Sequence, residues 1–346
     1  MKKYCLACLM VLLALGAVVF PAQRQQSTLN DPLTLSELNS LLRRSVGRDM
    51  TEGDLAVRIE RLGIAFDPTP EIINRLRSLG AHPHLLNTIK RAGEKFAAAS
   101  GVVRTTSVTP ADPIIEEVRK KLRDYIDDLP DFICNEEIER YIDNGTGAWQ
   151  KADTLVYELT FNHRHETYKP VNSLGRPTTK PLEQAGGATS TGDFAGRLAS
   201  LFRPETKATF KPAGTEKLGT QQTLIYDFRV PRETSESRIQ TDTAPTIITG
   251  YSGSVWIDVQ TKQILRIEQA ADDIPRDYPV TQAETLTDYE MVKLRGLDVE
   301  FLLPTRSEVI IADRQTRHFS RNLIYYKFYR KFESDVKIVT DPVIKK

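Results

Sequence analysis

From residue 131 onward, apolar side chains recur at every second position, and this period of two constrains the fold more than any other feature. "DTLVYELTF" puts Leu155, Tyr157, Leu159 and Phe161 on one face, and "TLIYDFRV" does the same with Leu224, Tyr226, Phe228 and Val230. "SGSVWIDVQTKQILRIEQA" reads as two strands around a turn at 259–262, and "TDYEMVKL", "VEFLLPTRSEVIIA" and "HFSRNLIYYKFYRKF" continue the series. Strands joined by short turns without intervening helices predict an antiparallel sheet or barrel, because parallel units need helical crossovers. One helix interrupts the series, over 190–203. It opens with Ser190 and Asp193 and carries Phe194, Leu198, Leu201 and Phe202 on one face, which predicts an inner helix against the concave side of the sheet.

Residues 33–93 change the period to that of short helices. "TLSELNSLL" pairs Thr34 with Glu37, and "TEGDLAVRIERLG" pairs Thr51 with Asp54, both in the spacing of a capping box. "TPEIINRLRSLG" offers Thr69 as cap with Pro70 behind it, and "HPHLLNTIKRAG" starts at Pro83 and reaches a stop at Gly93. A small helical module is therefore expected over 33–93, then a linker over 94–112 with Ala, Ser, Thr and Gly and no sustained period. An amphipathic helix follows, with Ile114, Ile115, Val118, Leu122, Tyr125, Ile126 and Leu129 at helical steps. Its polar face mixes Glu116, Glu117 and Asp124 with the basic residues, which favours packing on the next domain over a membrane surface. The β domain is expected to span 113–335, with a tail at 336–346.

The first 22 residues, "MKKYCLACLMVLLALGAVVFPA", have two lysines, an uncharged apolar run and a short Pro-Ala end. That order is the pattern of a secretory signal peptide, and the competing reading is a retained membrane anchor. Cys8 lies early in the apolar run, where a lipidated cysteine would end it. Removing the segment takes away Lys2 and Lys3 and moves the formal charge from +1 to −1. A chain so balanced lacks the basic excess of a nucleic-acid binder. Cys134 is then the only cysteine left, so no intramolecular disulfide is expected in an exported, periplasmic or extracellular protein.

Motifs for chemistry are sparse. There is no G-x-S-x-G elbow, H-E-x-x-H or P-loop. In "HRHE", His163 and His165 stand two apart, the spacing of strand-borne metal ligands, yet a third ligand would have to come from His318 or Glu166. The alternative is the polar end of a hairpin. Cys134 in "LPDFICNEEIERY" shares strand parity with Phe132 and Ile138, and the neighbouring glutamates disfavour a thiolate, so a core residue is expected there, with half of an intermolecular disulfide and a nucleophile as the alternatives. Those glutamates are expected to face solvent.

Several phrases carry a resemblance. "LTLSELNSLL" with "LGIAFDPTPEIINRLRSLGAHPHLLNTI" resembles a small helical module of secreted and regulatory bacterial proteins, which implies a protein partner for residues 33–93. "YIDDLPDFICNEEIERY", "STGDFAGRLASLF", "GSVWIDVQTKQILRIE", "FLLPTRSEV" and "YYKFYRKF" resemble a family of uncharacterised secreted bacterial proteins. The hairpin from Trp256 to Arg266 is more distantly similar to the lipoprotein-carrier (LolA/LolB-like) superfamily of the periplasm. That likeness implies an apolar cavity between sheet and helices, lined by candidates Phe194, Leu198, Leu201, Phe202 and Trp256. The expected fold is α+β: a curved, half-barrel-like antiparallel sheet with an inner helix, preceded by a small all-α module. The expected function is non-enzymatic binding of a lipid, acyl chain or other apolar ligand in the cell envelope, with no cofactor, no metal and no nucleic acid. Membrane contact would be peripheral or through an uncleaved N-terminal segment. The alternatives are a structural or protein-interaction role with a filled β core and, third, a metal-dependent enzyme.

Overall fold

The computed structural model describes residues 31–46, 51–100, 112–144, 148–173, 175–179, 196–241, 243–314, 316 and 318–332. The expected signal-peptide segment, Phe194 with the first turn of the expected inner helix, and the expected tail lie outside the described residues.

The described residues from Pro32 onward belong to one compact unit. Its centre is an open antiparallel sheet of eleven strands in the order β4-β3-β2-β1-β13-β12-β11-β10-β9-β6-β5. In chain order these are β1 (Phe132–Asp143), β2 (Gln150–Asn162), β3 (His165–Ser173), β4 (Arg176–Pro177), β5 (Thr209–Leu218) and β6 (Gln221–Val230). Then come β9 (Gly250–Asp258), β10 (Ile264–Asp272), β11 (Val280–Lys293), β12 (Glu300–Asp313) and β13 (Phe319–Lys331), while β7 (Arg238–Ile239) and β8 (Ile247–Ile248) pair separately. The expected turn between β9 and β10 is present: the Asp258 carboxylate accepts from the Gln260 and Thr261 amides, and Lys262 takes a left-handed φ of 60°. Among the described residues no helix is long and apolar enough to cross a membrane.

Helices cover both faces of the β6–β11 half. On the inner face lie α5 (Pro113–Asp128) and α6 (Gly196–Phe202). Asp112 caps α5 by accepting from the Ile114 amide, and Tyr226 donates to its other oxygen. Ile115, Val118 and Leu122 of α5 join Leu198, Leu201 and Phe202 of α6 over Tyr226, Phe228, Val255, Ile257 and Ile267. This continuous apolar layer is the main core.

The helical module comprises α1 (Leu35–Val46), α2 (Glu52–Leu62), α3 (Pro70–Ser78) and α4 (Pro83–Ala99) around its own core of Leu38, Leu55, Ile59, Leu76, Leu86 and Ile89. The capping boxes at Thr34/Glu37 and Thr51/Asp54 are formed. Two expectations need correction. Helix α4 does not stop at Gly93: it runs to Ala99, so the first residues assigned to a linker are helical, as the good helix formers Lys95 and Ala97–Ala99 permit. Gly93 serves packing instead, since a Cβ there would lie 2.2 Å from the Pro68 ring. The second concerns β1. Glu136 is only 1% exposed, because it shares parity with Cys134 and Ile138 and is registered between Tyr157 and Tyr326. The glutamates of this strand therefore do not all face solvent.

Candidate functional site

Helix α6 sits on the inner face where the aromatic side chains of β5, β6 and β9 converge. Phe202 stacks on Phe210 at 5.0 Å, Phe210 tilts against Phe228 at 6.4 Å, and Phe228 meets Tyr251 edge-on at 6.0 Å. Leu198 and Leu201 are 0% exposed and Phe202 3%. These three expected cavity residues fill the space beneath the helix. Trp256 does not join them. In β9, Tyr251, Val255 and Ile257 point inward, so Trp256 takes the opposite face with Ser252 and Ser254. There its indole N–H donates to Glu216 at 2.7 Å, and the Arg77 guanidinium lies 4.8 Å above its ring.

Beside α6 the inner face opens into a cleft of about 720 Å³. Tyr251, Ala271, Ala283, Val309 and Ile311 form an apolar floor along β9–β12. The mouth is polar. Arg203 pairs with Glu236 at 2.5 Å, Ser200 approaches the same carboxylate at 3.4 Å, and Arg238 and Gln240 stand exposed. Burial raises the Tyr251 hydroxyl above its ordinary pKa, so this tyrosine stays neutral at physiological pH. The Gln269 amide oxygen lies buried in the wall without a donor among the described residues.

The outer face of the same strands is a second, ionic locality. Asp227, Ser252, Ser254, Glu268, Asp272 and Glu284 alternate with the inward apolar residues, and α3 and α4 bring basic groups to them. Lys90 donates to Asp227 at 2.7 Å, Arg91 to Asp272 at 2.8 Å and Arg77 to Glu268 at 3.2 Å. Asn87 donates to the Ser252 carbonyl at 2.8 Å. A cavity of about 520 Å³ remains between α3–α4 and the sheet.

The N-terminus of α4 is received by two carboxylates. Glu284 accepts from the His84 amide at 2.7 Å, and Glu52 accepts from the His82 amide and faces its Nδ1, each at 2.9 Å. Burial pushes Glu284 up to about 7, against the pull of His82 and the His84 amide. Burial alone would lower His82, but the Glu52 carboxylate outweighs it and the group rises to about 10. His84 falls to about 4, through burial and the nearby Arg91 charge.

The other candidates fall outside both localities. His163 and Arg164 are the left-handed residues of the two-residue turn joining β2 and β3, with φ of 49° and 64°. His163, Arg164 and His165 are all exposed, and the His163 amide donates to Asp131 at 2.8 Å. Among the described residues no cluster of three metal-ligating side chains occurs. Cys134 is buried between Phe132 and Ile138, and burial with the Glu136 and Glu166 charges raises its thiol well above the ordinary value.

Two groups escaped the sequence reading: the polar mouth at Ser200, Glu236 and Arg238, and the ionic face under α4. The second had a legible signal, since His84, Asn87, Lys90 and Arg91 share the side of α4 opposite Leu85, Leu86 and Ile89. No protein-family model matches the sequence, and no curated protein matches it. The chain is similar in structure to a LolA superfamily protein from Nitrosomonas europaea, at 10% identity and a TM-score of 0.32 over 66% of this chain and 97% of that one. It is similar to a DUF1329 family protein from Desulfovibrio piger at 13% identity and 0.32, over 66% and 95%. A domain named for outer membrane lipoprotein sorting, from Vibrio parahaemolyticus, matches at 13% identity and 0.31, over 62% and 91%. At these identities and scores the site has to be read from its own geometry.

Proposed function

We propose that this is an exported, non-enzymatic binding protein of the cell envelope that takes a lipidic, amphipathic ligand in the cleft beside α6. One observation carries the reading: the inner face is filled under α5 and α6 and opens beside them over an apolar floor with a polar mouth. A volume of about 720 Å³ falls within the range of roughly 300–1,000 Å³ typical of small-ligand sites. An acyl segment would lie on Val309, Ile311, Ala271 and Ala283, with its polar end toward Ser200, Gln240 and Arg238. The signal-like N-terminus fits a ligand met outside the cytoplasm.

Native mass spectrometry of protein purified from its host's membrane fraction tests the proposal, with a co-purifying lipid as the expected result. Replacing Ala283 with Trp should fill the floor and abolish uptake of a fluorescent acyl probe. A ligand-free mass, together with equal probe uptake by parent and A283W, would remove the carrier reading. The second reading, a protein-interaction role with a filled β core, draws on the complete burial of Leu198 and Leu201. It gains if the parent takes up no probe.

A further inference from the structure

The module and the sheet have separate hydrophobic cores. Every buried apolar residue clustered around Leu55 and Leu86 lies within 33–92, and every member of the sheet clusters lies at 115 or beyond. No such cluster spans the junction. What spans it is polar: the Lys90–Asp227, Arg91–Asp272 and Arg77–Glu268 ion pairs, the Asn87–Ser252 bond, and the Glu284 cap on α4. Two apolar approaches cross it as well, the Phe319 ring edge against Gly53 and Pro70 near Gly214. The charges of these three pairs are also sorted, the module giving the cations and the sheet the carboxylates, while the exposed Glu94–Lys211 pair at 3.8 Å runs the other way.

Such a junction is held differently from a core. Removing charges from water costs nearly what their pairing returns, so the net hold of buried ion pairs is small and can take either sign. On separation each part keeps its own core, and counter-ions or water can solvate the exposed groups. A single covalent connection joins the two, since α4 ends at Ala99 and α5 begins at Pro113. The junction is also imperfect. Asp272 is 3% exposed and lines the 520 Å³ cavity, and its Oδ2 lacks a hydrogen-bond donor among the described residues, facing only the Arg229 guanidinium of the sheet at 3.6 Å.

We infer that the helical module is a releasable cover on the outer face of the sheet, held by charge complementarity and displaced by ionic strength or by a competing cationic surface. Release exposes Asp227, Glu268, Asp272 and Glu284 together, an acidic face already shaped to receive basic side chains at the spacing of Arg77, Lys90 and Arg91. The cover lies on the other side of the sheet from the inner cleft, and of the carboxylates it covers Glu284 alone also lines that cleft.

Trp256 reports on it directly, because Arg77 of the module lies over its ring. The chain has two tryptophans, so Trp149→Phe leaves Trp256 as the sole tryptophan in the full-length protein, read selectively by excitation at the red edge where tyrosine does not absorb. Raising ionic strength from 10 mM to 1 M shortens the screening length from about 30 Å to about 3 Å. The expected result is a reversible red shift and a severalfold rise in acrylamide quenching, with the far-UV circular dichroism unchanged. Lys90→Glu places like charges together, and should shift the docking equilibrium toward release by about tenfold or more. Should that variant fail to fold, the exchanged pair Lys90→Asp with Asp227→Lys keeps the complementarity and should restore the parent's quenching. The proposal is overturned if Trp256 becomes accessible only together with loss of circular dichroism at every ionic strength. It is equally overturned if a folded K90E quenches like the parent. Neither result depends on a ligand in the inner cleft.

Discussion

Strands β6, β9, β10 and β11 present two faces that are held in opposite ways. Inward, Tyr226, Phe228, Val255, Ile257 and Ile267 meet α5 and α6 in one dry layer. Outward, Asp227, Ser254, Glu268 and Asp272 meet Arg77, Lys90 and Arg91 in pairs. The contrast separates two jobs. Burial of apolar area supplies stability without regard to partner geometry, whereas a polar junction contributes little net energy and specifies which surface goes where.

The sharpest way to break the contrast is to cut into each face. Phe202→Ala should cost about 3–5 kcal/mol in chemical denaturation, because the stack on Phe210 is lost and a cavity remains. Glu268→Ala should cost about 3 kcal/mol, since it strands the Arg77 guanidinium under the module. Replacing both partners, Arg77→Met with Glu268→Leu, should recover most of that loss. A double replacement as damaging as the single one would mean that the ion pair itself supplies net stability. Gly93→Ala should destabilise the module by about 1–3 kcal/mol through overpacking on Pro68, although alanine is the better helix former.

The pH dependence gives the smallest and most specific effect. Glu284 rises from 4.5 to about 7 on folding, so the folded state keeps a proton there that the unfolded state has lost. Its contribution to stability therefore falls as pH rises from about 4.5 to 7. His84 falls from 6.5 to about 4, and its contribution rises with pH from about 4 to 6.5. The two oppose each other in the parent. Glu284→Gln removes the first, so the variant's melting temperature should gain on the parent's as pH rises from about 4.5 to 7, and then level off. A constant difference across that range would contradict the assignment to Glu284.

Much of the fold was legible in the chain. The period of two located the long strands, and the Thr/Glu and Thr/Asp spacings located the starts of α1 and α2. Less legible was anything depending on a second element. Gly93 looks like a helix stop until Pro68 is seen against it. Glu136 reads as solvent-facing by residue type although its parity with Cys134 points it inward. Trp256 groups with the inner helix in the hairpin phrase, but its parity with Ser254 puts it on the outer face. For the candidate site, three of the five expected residues turned out to be packing beneath α6. The cleft is floored by β9–β12 residues whose neighbourhood is set by the sheet order.

The placement of β13 bears on how the chain comes together. It pairs with β1 along nearly its whole length, and Lys327 bonds to Glu137 across 190 positions of sequence. The middle of the sheet is thus closed by its last strand, and loop closure over such distances makes folding slow. Until β13 arrives, β1 has an unpaired edge, and the sheet exists as two half-sheets with no seam between them. The N-terminal strands of such a sheet therefore wait for the last one before the two halves can join.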